Sequence, residues 1–101
     1  MNGVRLTWTG ALEFPDRDRW RYVVSSALDR ANSARVPFAL DLAQVTSVDR
    51  YGLAAVIALG RTARFLQVPV RIEHASWQLR VDTEAANAYT LFEWWPSLDD
   101  E

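Results

Sequence analysis

Few side chains in this sequence have the types and spacing needed for chemistry, and most stand alone. His74 is the only histidine. As a base or a metal ligand it would need a nearby group to orient it, and the local sequence supplies none. There is no cysteine, which excludes thiolate nucleophiles, thiolate metal ligands and disulfides. Ser25 and Ser26 lie in a helix-forming stretch without a Gly-x-Ser-x-Gly turn, so nothing lifts either hydroxyl into a nucleophile's position. The 4 glycines are scattered and form neither phosphate-binding fingerprint. No cluster of histidine and carboxylates has metal-ligand spacing. Asp41 and Asp49 could in principle act as acid and base, but single carboxylates beside one loop are more often caps. The expectation is a protein that is not an enzyme and carries no metal or cofactor.

One stretch stands apart from this sparse background. Phe38-Ala39-Leu40-Asp41-Leu42 is a strand-length apolar run. It leads through Val45-Thr46-Ser47-Val48-Asp49-Arg50-Tyr51 into Gly52-Leu53-Ala54-Ala55-Val56, which forms a helix. A strand, a short polar loop and an apolar helix in that order place a helix N-terminus at the carboxyl edge of a parallel sheet. Asp49 is the natural cap, accepting from free N–H groups of the first turn at the positive end of the helix dipole.

Asp41-Leu42, Val45-Thr46-Ser47-Val48-Asp49 and Gly52-Leu53 resemble the signature of STAS domains, the fold of bacterial anti-sigma factor antagonists. The family loop reads Asp-Ser/Thr-x-Gly-Leu, and its Ser or Thr is often phosphorylated by a partner kinase. Here that position is Arg50, followed by Tyr51. Phosphate at this point acts in the family as a repulsive switch, adding charge and bulk to a partner surface. Arg50 inverts the sign permanently. The resemblance implies a protein-interaction module docking through Ser47, Asp49, Arg50, Tyr51, Gly52, Leu53 and Val56. Tyr51 and Leu53 would be the amphipathic anchors that interface centres favour. The plainer reading of Arg50 is a solvent pair with Asp49 or Asp41, worth about 0–1 kcal/mol. Ser47 is the remaining candidate phosphosite.

The implied partner is a protein: either a kinase-like anti-sigma factor, or the ATPase of a bacterial lipid-transport ABC transporter, whose small STAS subunit has a similar compact length. STAS-like domains can also bind small molecules near this loop, so a ligand or nucleotide sensor is a third reading, with Arg50 and Tyr51 as its contacts. The oligomeric state is open, a homodimer included.

The elements that must position this stretch are legible from periodicity. The chain has 101 residues, half of them hydrophobic, enough for a single domain over 1–101 with its core at about 4–92 and an acidic tail over 97–101. Net charge is -2. Every basic residue is arginine and none forms a polybasic cluster, which argues against nucleic acid or an anionic membrane as partner. No apolar stretch has signal-peptide or membrane-span length, so a cytoplasmic location is the default.

Val4, Leu6 and Trp8 alternate with polar residues, and Gly10 follows. This predicts a strand, a turn, and a second strand over Ala11–Phe14 with Leu12 and Phe14 inward, forming an N-terminal hairpin. Trp20, Val23, Val24, Ala27, Leu28 and Ala31 form a helical stripe. The helix from Gly52 to about Leu66 has a first half without charge on any side, so part of it should be exposed. Gly60 in its middle implies a close neighbouring backbone. Val70 and Ile72 mark another strand. Ser76 caps a helix from Trp77 to about Phe92, with room for a break over 81–84, and Leu91–Trp95 ends as a short strand or docked segment. The fold class is α/β: a STAS-like mixed sheet of four to five strands with an N-terminal hairpin and helices largely on one side.

Overall fold

In a computed structural model that describes residues 3–97, the alternating apolar runs close into three successive parallel βα units. Strand β1 (Val4–Leu12) leads through a single 3-10 turn (Phe14–Asp16) to α1 (Arg17–Ala34). Then follow β2 (Phe38–Val48), α2 (Arg50–Leu66), β3 (Val70–Glu73) and α3 (Trp77–Ala85). A second 3-10 turn (Tyr89–Leu91) precedes β4 (Glu93–Trp95). The sheet order is β1-β2-β3-β4 and every pairing is parallel. Each connection steps one strand in the same direction, and right-handed crossovers then put all three helices on one face.

That face carries the core. Trp8, Leu12, Phe38, Leu40, Leu42, Val70, Ile72 and Trp94 from the sheet meet the α1 stripe, Ala55, Val56, Leu59 and Ala63 of α2, and Leu79 of α3. Trp8 is 2% exposed and packs edge-on against Trp20, with ring centroids 5.3 Å apart. Such a pair adds about 0.5–1.5 kcal/mol beyond its area burial. On the opposite face Arg5, Thr7, Thr9, Arg71, Glu93 and Trp95 are exposed. Among the described residues Glu73 alone is buried there, held by Arg5 at 2.5 Å and Arg71 at 3.7 Å. Arg71 also reaches Glu93 at 2.7 Å.

The N-terminal hairpin does not form, and the sheet is parallel rather than mixed. Gly10 sits at φ 94, but the chain runs on through it as β1. The positive φ is absorbed where the β1–β2 register slips, between Thr7 and Thr9 and again between Gly10 and Leu12. The segment after Gly10 stays in parallel pairing with β2 instead of folding back on the residues before it. Leu12 is fully buried, whereas Phe14 lies in the 3-10 turn at 55% exposure rather than pointing inward.

Three other boundaries move. Strand β2 continues through Thr46 and Ser47 to Val48, so the polar residues that read as loop are the exposed end of a strand. Helix α2 begins at Arg50, ahead of Gly52. Helix α3 stops at Ala85, because Asn87 adopts a left-handed φ of 58. The expected short terminal strand is present as β4. The expected acidic tail at Asp99-Asp100-Glu101 lies outside the described residues.

The charge-free half of α2 is mostly enclosed. Ala55, Val56, Ile57, Leu59 and Gly60 are buried, Leu53 is half-buried, and Ala54 and Ala58 are exposed. The neighbour that explains Gly60 is a side chain, not backbone: a Cβ there would collide with the tip of the Phe92 ring.

Candidate functional site

The end of β2, the start of α2 and the 3-10 turn after β1 converge at the carboxyl edge of the sheet. Asp49 joins them. Its Oδ1 accepts the Gly52 N–H at 2.9 Å, and its Oδ2 accepts the Phe14 N–H at 2.9 Å. Its own N–H donates to the Leu12 carbonyl at 3.4 Å, and its carbonyl accepts the Leu53 N–H at 3.0 Å. The expected cap is therefore formed and is shared between two segments. The Gly52 N–H, and after it the Phe14 N–H, hold the Asp49 carboxyl below its ordinary 3.8; desolvation opposes them.

With both oxygens so occupied, Asp49 makes no ion pair with Arg50. Asp41 is committed as well, accepting the Ala43 N–H at 2.9 Å where β2 bulges and pairing with Arg5 at 3.3 Å. Arg50 is exposed, and among the described residues it forms no ion pair and no side-chain hydrogen bond. A solvent pair with either aspartate is thus not what Arg50 does.

The other candidates divide. Ser47 is exposed and its hydroxyl donates to Glu13 at 3.1 Å. Tyr51 is half-buried and meets the Phe14 ring edge-on at 5.9 Å, with the Arg17 guanidinium 4.0 Å from the Phe14 centroid. Leu53 is half-buried. Gly52 is buried beneath the Leu12 carbonyl, against which any Cβ would clash, and that Cβ would also lie 2.8 Å from the Val48 side chain. Val56 is fully buried in the core. Neither can touch a partner. Val56 follows helical spacing from Gly52, so it faces the sheet with it.

Arg50 and Tyr51 also open onto different hollows. Arg50 lines a groove of about 710 Å³ at the carboxyl edge, together with Ser47, Leu53, His74, Gln78 and Asp82. Tyr51 lines a second groove of about 400 Å³ between α1 and α2. His74, which the sequence leaves without an orienting partner, is exposed at φ 58 and packs edge-on against Trp95 at 5.2 Å. The sequence held a signal for its place: in a parallel sheet, the loops after β2 and β3 emerge at the same edge. Among the described residues no group of carboxylates and histidine could hold a metal, and no helix is long and apolar enough to cross a membrane.

No family model and no curated protein matches the sequence. Solved structures do match. The anti-sigma factor antagonist SpoIIAA in its unphosphorylated form superposes at a TM-score of 0.69 and 12% identity, over 95% of this chain and 81% of that one. A candidate anti-sigma factor antagonist from Thermotoga maritima gives 0.74 and 11%, over 95% and 80%. The murine Slc26a9 anion transporter gives 0.78 and 22%, over 99% of this chain but only 17% of the transporter. The fold is that of a STAS domain.

Proposed function

We propose that this chain is a non-enzymatic STAS interaction module, anti-sigma factor antagonist-like, that docks a protein partner through the Ser47–Leu53 segment and the exposed side of α2. The observation that carries the reading is the state of Arg50. It stands unpaired at the first position of α2, on a turn clamped by Asp49 from both sides. An unpaired arginine on a held turn, beside Tyr51 and Leu53, is the composition of an interface anchor. It also fills the family's phosphorylation position with a residue that cannot accept phosphate. Docking is then constitutive, and the counter-surface is acidic or aromatic. A phosphate on Ser47 would face the Glu13 carboxylate, which disfavours it as a switch.

Two partners fit: a kinase-like anti-sigma factor, and the ATPase of a lipid-transport ABC transporter. Both belong to a bacterial cytoplasm. The test is a binding titration of purified chain and Arg50→Glu against one representative of each. Arg50→Glu should bind the true partner more than tenfold more weakly, about 1.4 kcal/mol. Equal affinity of the two proteins for whichever representative binds would remove the turn from the interface.

A further inference from the structure

The geometry points to the groove between α1 and α2 as a seat for an acidic amphipathic helix of the partner, an inference that rests on the docking reading above and names the partner's chemistry. The groove holds about 400 Å³. Its floor is apolar and buried, with Trp20, Val24, Leu28 and Leu59 beneath. Its walls are short side chains: Ser25 on α1, Ala54, Ala58 and Thr62 on α2, all exposed.

The walls decide what can lie there. Both are helices, whose main-chain N–H and C=O groups are spent internally. A strand or extended peptide laid in the groove would find no backbone partner for its own polar groups, which is costly on burial. A helix satisfies its backbone itself and presents apolar side chains at intervals of three and four. Short wall residues let such a helix approach closely.

Charge selects among helices. Arg21 is the only ionisable group apart from the Tyr51 phenol in the lining, and no carboxylate lines the groove. Exposed groups of both signs, Arg61, Asp18 and Asp29, lie outside the lining. Among the described residues Arg21 has no ion pair. A basic helix would meet like charge within the groove, and an acidic one would find an unpaired guanidinium group there.

The test is selection of a displayed random-peptide library on the intact chain, with the selected peptides then synthesised and titrated. Enriched peptides should carry net negative charge, space their apolar residues by three and four, and gain helicity on binding. Ala58→Trp, which fills the groove from an exposed position, should weaken them at least tenfold; Arg21→Glu should weaken them roughly fivefold and lessen the salt dependence. Thr62→Trp serves should Ala58→Trp melt below the wild type. No enrichment, basic or aperiodic peptides, or unchanged affinity for Ala58→Trp and Thr62→Trp would overturn the inference. Arg50→Glu separates it from the docking turn. Loss of the protein partner with Arg50→Glu but not with Ala58→Trp leaves the turn standing and removes the groove, and the converse result does the reverse.

Discussion

Asp49 and Phe14, 35 residues apart in the chain, are joined by a 2.9 Å hydrogen bond from the Phe14 N–H to the second carboxylate oxygen of the helix cap. One carboxylate thus fixes both the launch of α2 and the exit from β1. Asp49→Ala should lower the melting temperature by several degrees. Asn keeps one acceptor but sets its amide NH2 against the other N–H donor, so Asp49→Asn should lower it less than Asp49→Ala without reaching wild type. The folded-state pKa is depressed, so this stabilisation is present above the ordinary 3.8 and is lost as pH falls through the folded value. Melting curves from neutral pH downward should show wild type losing its advantage over Asp49→Asn as it passes below that range. A constant gap would mean that the charge plays no part.

Gly52 and Gly60 predict opposite tolerances on one helix. At Gly52 a methyl meets the Leu12 carbonyl, and backbone cannot step aside. Gly52→Ala should cost about 3 kcal/mol or more, visible as a lower urea midpoint. At Gly60 a methyl meets the tip of the buried Phe92 ring, a side chain that can shift where backbone cannot. Overpacking of about 1–3 kcal/mol is there offset by about 1 kcal/mol of helix propensity, so Gly60→Ala should be the milder change.

Ser47 predicts a like-charge effect. Its hydroxyl already faces the Glu13 carboxylate. Ser47→Glu should therefore destabilise by about 0.5 kcal/mol more than Ser47→Ala at low salt, and the difference should shrink at high salt. An equal effect of both substitutions at low salt would separate Ser47 from Glu13.

Glu73 predicts non-additivity on the helix-free face. Either Arg5→Met or Arg71→Met leaves one arginine on the buried carboxylate, and the double change leaves it with none. The loss of stability in the double variant should exceed the sum of the two single losses in a double-mutant cycle.

Much of this architecture is readable from residue pattern alone. The Asp49 and Ser76 caps, the α1 stripe and the strand at Val70 and Ile72 all follow from spacing, because each is a local relation. The misreadings have a common cause. Thr46 and Ser47 look like loop because they are polar, yet an exposed strand end may carry any polar residue without losing its ladder. Gly10 looks like a turn because a positive φ serves turns and register slips equally. Val56 looks like interface because a helix apolar on every side does not announce which side the sheet will take. The groove between α1 and α2 joins residues about thirty positions apart, and no local spacing encodes it.

The consecutive strand order carries a consequence for synthesis on the ribosome. Each newly made strand finds the one before it already available as its template, and none must wait for a later segment to arrive between them. Assembly can advance one unit at a time, each new strand adding at the edge opposite β1, until the three residues of β4 form the last edge.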